Sequence, residues 1–524
     1  MKRQIGAEVK LPLAMAAVTV ATTSLLARPV QQDRPNIVLF LVDDMGWQDT
    51  SVPFWTQRTP LNDTYETPNM ERLAHQGMLF TQAYASPISS PSRCSLLTGA
   101  NACRHRVTNW TFRRGQMTDD ADDLLAPPDW NYNGVCQTKG MPNTFVARTF
   151  VDLLRGAGYY TIHCGKAHWG AQDTPGESPL HFGFNVNIAG HAAGGPATYL
   201  SERNFGYDAD GNPAAQFAVP GLKKYWGTGT FLTEALTLEA LAVLDSLRSS
   251  SPSSSAHTPF FLYLSHYAVH VPIDRDMRFF VKYLERGLSE KEAAYASLIE
   301  GMDKSLGDVL AWLDRNGEAE NTVFLFMSDN GGYATGREWR DEPLYTQNAP
   351  LRSGKGSLLE GGIREPMIVR WPGVVKGDTR CDNYLLIEDF FPSILEIAGV
   401  RNYRVPQVVD GESFVPLLKG RHRFPKKRCL VWNYPHVWGN RGPGIDHNCA
   451  IRMGDWKLIY DYKTGRKELY NIRRDIGEQY DLAARHPRLV RRLSRRLGKQ
   501  LRALHAQRPV VKSTGLPCPW PDEV

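Results

Sequence analysis

Asn36-Ile37-Val38-Leu39-Phe40-Leu41-Val42 is a short run, apolar after its first residue and closed by Asp43-Asp44. A strand with one face in water alternates polar and apolar residues. A run apolar on both faces belongs in a sheet covered on both sides, as parallel sheets are. Residues 259–265 (PFFLYLS) repeat the pattern ahead of His266 and His270. Residues 321–327 (NTVFLFM) repeat it again, closed by Ser328-Asp329-Asn330-Gly331-Gly332. Helical periodicity falls between and around these runs, over residues 144–156, 232–248 and 292–316. The alternation predicts an α/β fold with a large, mostly parallel sheet flanked by helices. Such sheets bind ligands beyond the carboxyl ends of their strands. All three runs carry their polar residues at that end, so acidic pairs far apart in sequence are expected to converge.

The chain has 524 residues, 42% of them apolar and 22% charged. That composition excludes a mainly disordered or collagen-like chain and leaves room for a large core. The charge balance is 61 − 55 = +6, which suits an anionic substrate without demanding nucleic acid, and no nucleic-acid partner is expected. Lys2, Arg3 and Lys10 lead into an uncharged stretch at residues 11–27, followed by Arg28 and Pro29. This is the order of a secretory signal, and the stretch is short for a membrane span. Residues 1–28 therefore read as a cleaved signal of an exported (periplasmic or secreted) protein with no membrane attachment afterwards. Eight cysteines include no CxxC pair, which argues against a zinc ribbon or a thiol redox site. Some disulfides are expected, with their pairing open.

Composition changes after Gly420. Residues 421–428 are a basic linker between a catalytic region (33–420) and a smaller α+β region (427–524). Short strands are predicted at 429–434, 450–453, 456–460 and 467–470, with turn signals at Gly454-Asp455 and Thr464-Gly465, giving a small antiparallel sheet. A terminal helix over 488–504 puts Leu489, Leu493, Leu497, Leu501 and Leu504 on one face and five arginines elsewhere. It reads as an amphipathic helix packed on that sheet with a solvated basic face, the alternative being polyanion capture.

Ser89-Ser90-Pro91-Ser92-Arg93-Cys94-Ser95-Leu96-Leu97-Thr98-Gly99 carries the chemistry. Alone, a serine with an arginine four residues on is ordinary capping polarity. The whole stretch, however, resembles the sulfatase signature, in which Cys or Ser precedes x-Pro-Ser-Arg and, after a spacer, Leu-Thr-Gly. Residues 35–38 (PNIV) with Asp43-Asp44-Met45-Gly46 are similar to that family's opening strand. Gly165-Lys166-Ala167-His168-Trp169-Gly170, Ser328-Asp329-Asn330-Gly331-Gly332, Gly354-Lys355-Gly356 and residues 469–479 resemble its later segments. By this resemblance the chain is identified as a member of the type I, formylglycine-dependent sulfatases of the alkaline phosphatase superfamily. The serine form of the motif is typical of bacterial members. Ala167 stands where an aromatic residue is common, and residues 100–106 lack the usual Arg-Tyr-Pro start.

The resemblance implies that a maturation enzyme oxidises Ser89 to formylglycine. One hydroxyl of its hydrate attacks sulfur, and the other later expels sulfate by reforming the aldehyde, an exit that a plain serine ester lacks. Asp43, Asp44, Asp329 and Asn330, with residue 89, would hold Ca²⁺ or Mg²⁺, because hard oxygen donors suit hard cations. Arg93 would contact the metal and formylglycine, while Lys166 and Lys355 would neutralise sulfate oxygens. His168 would move the gem-diol proton and His270 would protonate the leaving sugar oxygen. His436, in Tyr434-Pro435-His436-Val437-Trp438-Gly439, is a sugar-contact candidate, and Trp110 and Glu338 lie in expected active-face loops. The expected substrate is a sulfated carbohydrate, of galactose or N-acetylgalactosamine type. A phosphate mono- or diesterase of the same superfamily, or an unmatured sulfated-glycan-binding protein, are the competing readings.

Overall fold

The computed structural model describes residues 34–249, 258–334, 348–421, 428–439 and 442–524. The expected signal (1–28), most of the serine-rich segment after residue 249, Glu338 and residues 422–427 of the basic linker lie outside them. The three apolar runs become strands β1 (Asn36–Val42), β5 (Phe260–Ser265) and β6 (Thr322–Ser328), every residue of each buried. They share one sheet with β2 (Met78–Tyr84), β3 (Tyr160–Gly165), β4 (Val186–Ile188), β7 (Arg364–Arg370) and β8 (Thr379–Cys381). The spatial order is β8-β2-β7-β6-β1-β5-β3-β4, and a two-residue strand, Leu385–Leu386, also pairs with β2. Only β7 runs against its neighbours; the other pairings are parallel.

Alternation along β1 shows why both faces are apolar. Val38, Phe40 and Val42 pack with helices α3 (Leu232–Ser249) and α4 (Glu290–Arg315). Ile37, Leu39 and Leu41 pack on the other side with α1 (Ser89–Thr98), α2 (Phe150–Gly156) and α5 (Phe390–Ile397). Two of these helices show how local chemistry sets their starts. Ser289 and Glu292 form a reciprocal capping box at the head of α4, so that helix begins two residues before the expected Glu292. α2 begins well after the expected residue 144. Thr149 caps it by accepting from the Asp152 N–H, while Phe145 and Val146 pair as a short strand with Val135 and Cys136.

The C-terminal strands β9 (Cys429–Tyr434), β10 (Asn448–Met453), β11 (Trp456–Asp461) and β12 (Lys467–Asn471) form the antiparallel meander anticipated from the turn signals. One face takes Leu493, Leu497 and Leu501 of helix α6 (Pro487–Ala503). Fully burying each such leucine contributes about 1.5–3 kcal/mol. The helix keeps that packing against its own charge: like charges spaced i,i+4 cost about 0.2–0.5 kcal/mol each. The opposite face packs Trp432, Tyr434, Ile459 and Tyr470 on Tyr84, Ile88, Leu358 and Leu359. Below that contact, fully buried Lys457 Nζ bridges Glu360 (3.0 Å) and Glu478 (2.9 Å). Lys457→Met removes the cation shared by two buried carboxylates, leaving Glu360 to Arg364 and Tyr84 and Glu478 to the Glu360 N–H, so denaturant titration is expected to show a loss of about 3 kcal/mol.

The disulfides anticipated from an even cysteine count are absent: all eight cysteines are free. Cys164 packs under α3 and Cys94 with α1, while Cys103, Cys449 and Cys518 share the cluster under α6. Among the described residues no helix is long and apolar enough to cross a membrane.

Candidate active site

Register places the acidic turns side by side. Val42 pairs with Ser328 and Leu41 with Ser265, while Gly165 pairs with Ser265 from the other side. The residues that follow these strand ends, Asp43-Asp44, Asp329-Asn330, His266 and Lys166, therefore emerge along one edge. Asp43, Asp44 and Asp329 present carboxylate oxygens within 4.8 Å of one another, and all three are buried. Asp44 N–H donates to Asp329 Oδ1 at 3.3 Å, and Asn330 Nδ2 donates to Asp44 Oδ1 at 2.7 Å.

Ser89 reaches this cluster from the first position of α1, whose partial positive end favours an anion. Its Oγ lies 3.2 Å from Asp43 Oδ1, 3.2 Å from Asn330 Oδ1, and accepts from Lys166 Nζ at 2.9 Å. The helix ends at Gly99, whose left-handed backbone (φ 69°) closes it with a hydrogen bond to Ser95. Arg93, one turn along, is wholly buried. Its Nε donates to Asp329 Oδ2 at 2.8 Å, one Nη to Ser265 Oγ at 2.5 Å, and the other Nη stands 3.7 Å from Asp43. Lys166 Nζ is 2.7 Å from Asp43 Oδ2, and Lys355 Nζ is 2.8 Å from Asp44 Oδ2.

Charge states follow from that packing. Burial pushes the Asp43 carboxyl up to about 7; Lys166 opposes the shift, while Asp329 and Asp44 add to it. Burial works against the Asp44 carboxylate too, but Lys355, His270 and Lys166 outweigh it and hold its pKa below the usual range. Asp329 is likewise held down by Arg93 and Lys166 against the cost of burial. Burial lowers the Lys166 ammonium to about 8. Three buried carboxylates present oxygens within 4.8 Å of one another, and the Asn330 side chain stands beside them. An all-oxygen set of this kind fits a hard divalent cation.

His168 and His270 line the pocket, and burial keeps both neutral, with His270 lowered to about 3 and His168 well below its usual value. His270 Nε2 stands 3.7 Å from Asp44, and its Nδ1 meets the Val271 carbonyl at 2.7 Å. His168 Nε2 meets the Thr111 carbonyl at 2.9 Å, while its buried Nδ1 has no hydrogen-bond partner. Asp44 (φ 61°) and His168 (φ 59°) hold left-handed backbone conformations, which costs about 1–3 kcal/mol each and is typical of functional positions.

The pocket above Ser89 has a volume of about 190 Å³. Asp44, Ser89, His168, His270 and Lys355 form its polar floor, and Trp110, Phe217, Tyr333 and Trp438 supply aromatic walls. Trp110 thus stands where its loop was expected. His436 does not reach the pocket: it is fully buried, with Nδ1 on Asp119 Oδ1 (2.6 Å) and Nε2 on Thr108 Oγ1 (2.7 Å). Both ring nitrogens are occupied, which corrects the expected sugar contact. The same segment supplies the wall through Trp438, which packs 5.5 Å from Lys355 Nζ. Sequence reading also missed Gly194-Gly195. A Cβ on Gly194 would meet the His168 ring at 2.5 Å, and one on Gly195 the His270 ring at 2.7 Å. Their neighbours Ala192-Ala193 form with them a run of small residues, the one signal available in advance. Glu365 was missed as well; burial drives its carboxyl well above the usual value, and neither oxygen has a hydrogen-bond partner.

Comparison with known proteins agrees with this geometry. Residues 35–400 match the family model for sulfatases, and residues 354–507 match the N-sulphoglucosamine sulphohydrolase C-terminal model. A sulfatase of Formosa agariphila is 30% identical, covering 87% of this chain and 85% of that protein. The N-acetylgalactosamine-6-sulfatase of Mus musculus is 31% identical, covering 86% and 82%. The crystal structure of Ps i-CgsB in complex with k-i-k-neocarrahexaose superposes with a TM-score of 0.69 at 26% identity, covering 89% of this chain and 93% of that one. The chain therefore belongs to the sulfatase family of the alkaline-phosphatase-like superfamily and is a sulfuric ester hydrolase.

Proposed function

We propose that this sulfatase hydrolyses sulfate monoesters on galactose- or N-acetylgalactosamine-type sugars, using a formylglycine made from Ser89 by a maturation enzyme and a divalent cation, Ca²⁺ or else Mg²⁺. One observation carries the reading: Ser89 Oγ lies within 3.2 Å of Asp43 and Asn330 and 2.9 Å of Lys166. Asp43, Asp44, Asp329 and Asn330 would hold the cation. When bound, the cation and the hydrated aldehyde together supply a charge sink and an acidified hydroxyl nucleophile.

The remaining work belongs to the chain's own side chains. Arg93 fixes Asp329 and faces Asp43, so the carboxylates stay aimed at one point. Lys166 and Lys355 bring two ammonium groups to where sulfate oxygens gain charge. His168 is neutral with a bare Nδ1, which suits a proton acceptor beside residue 89. His270 lines the pocket wall and is assigned to protonate the departing sugar oxygen; a bound anion raises its proton affinity. The aromatic walls suit the apolar face of a sugar ring, and the N-acetylgalactosamine-6-sulfatase relatives support the choice of sugar. Export through a cleaved signal at residues 1–28 fits degradation of an extracellular glycan.

A screen of positionally defined sulfated galactose and N-acetylgalactosamine, with and without chelator, tests this function. Sulfate release from at least one sugar, lost in chelator and restored by Ca²⁺ or Mg²⁺, is expected. Turnover persisting after metal removal, or confined to phosphate esters, contradicts it. Trp438→Ala is expected to raise KM about tenfold with a smaller change in kcat, because it removes a wall rather than a reacting group.

A further inference from the structure

Helix α6 carries charge that its fold does not use. Its sequence, PRLVRRLSRRLGKQLRA, contains no acidic residue. Arg488, Arg491, Arg492, Arg495, Arg496 and Lys499 recur at spacings of three and four, so they share one face along about 16 Å of helix. All but half-buried Arg496 are exposed, and among the described residues none of the six makes an ion pair. Arg502, farther along, shows the contrast: it is paired with Asp522 and Glu523. The six line an open groove of about 810 Å³ whose remaining wall is Met453 of β10. Arg496 Nε faces no solvent and has no hydrogen-bond partner. Residues 1–28 hold Lys2, Arg3, Lys10 and Arg28 against Glu8, 4 − 1 = +3 of the chain's net +6, so without this face the protein after signal removal would carry 3 − 6 = −3.

We infer that this face of α6 is an exosite for a linear sulfated polysaccharide, the polymeric form of the substrate class proposed above, on which reading it rests. Guanidinium groups pair bidentately with tetrahedral oxyanions, and a row of them one helix turn apart matches sulfates repeated along a chain. Held there, a polymer presents its sulfated sugars to the enzyme at raised local concentration, as in any two-site contact. Packing of the opposite, leucine-bearing face under the small sheet fixes the row rigidly.

The test uses full-length protein bearing Ser89→Ala, so that binding is read without turnover. Immobilised chondroitin 6-sulfate, desulfated chondroitin, duplex DNA and phosphatidylglycerol vesicles are the probes. Chondroitin 6-sulfate should bind most tightly. Combining Arg488→Gln, Arg491→Gln, Arg492→Gln and Arg495→Gln should weaken that binding at least tenfold. The salt slope of log K should fall by roughly three, at slightly under one unit per lost contact. In matured enzyme the same four changes should raise KM for the polymer and leave kcat/KM for a sulfated monosaccharide unchanged. An unchanged thermal midpoint or a higher one verifies folding. Equal binding by parent and variant overturns the exosite, as does absence of binding at low salt or tighter binding to DNA or vesicles. If matured enzyme releases no sulfate while the Ser89→Ala protein still holds the polymer through α6, the active-site reading fails and the exosite stands.

Discussion

Ser89→Ala abolishes sulfate release while the protein stays folded. The substitution deletes a side chain that joins the acidic cluster to the pocket: its Oγ contacts Asp43, Asn330 and Lys166. Losing a nucleophile costs on the order of 10⁴–10⁶-fold in kcat. The partners left behind retain one another, Lys166 Nζ at 2.7 Å from Asp43 and Asn330 Nδ2 at 2.7 Å from Asp44. The change in stability should therefore stay near about 1 kcal/mol. Steady-state turnover and a denaturation curve on the same preparation separate the two effects. Residual activity within tenfold of the parent would place the nucleophile elsewhere.

Arg93→Met has the opposite signature, with stability and turnover falling together. Arg93 is wholly buried and holds Asp329 at 2.8 Å and Ser265 at 2.5 Å, with Asp43 at 3.7 Å. Without it, carboxylates in a dry site lose a fixed cation, and breaking such a pair costs about 3–5 kcal/mol. Turnover should drop on the order of 10³-fold, because the carboxylates are no longer aimed at one point. Millimolar Ca²⁺ should raise the stability of the parent, and of the variant by a smaller amount, since a cation held by the carboxylates favours the folded chain in proportion to its binding. Urea midpoints with chelator and with Ca²⁺ measure this. A parent midpoint that ignores Ca²⁺ would show that the carboxylates do not bind it.

The central sheet was legible because its cause is local: β1, β5 and β6 are apolar on both faces, as strands of a sheet covered on both sides are, and helical periodicity falls between them. Its register then aligned Asp43-Asp44 with Asp329-Asn330 with no further information required. The pocket walls were less legible. Phe217, Tyr333 and Trp438 come from loops without periodicity, and nothing near Trp438 in sequence distinguishes it from His436. His436 is occupied by Asp119 and Thr108, partners more than 300 residues away that only the folded chain brings to it. The early start expected for α2 failed for a local reason. Thr149 offered a cap, and the β-preferring Phe145 and Val146 ahead of it found a strand partner in Val135 and Cys136. Cysteine parity misled, because buried thiols pack as small apolar groups, even where Cys103, Cys449 and Cys518 share one cluster.

The proposed chemistry requires an aldehyde at residue 89 beside those acidic turns. Mass spectrometry of the peptide spanning residue 89, taken from protein made in its own host and proven to release sulfate, reads that directly. The expected peptide is two hydrogens lighter than the serine form. An unaltered serine in fully active protein would contradict the account.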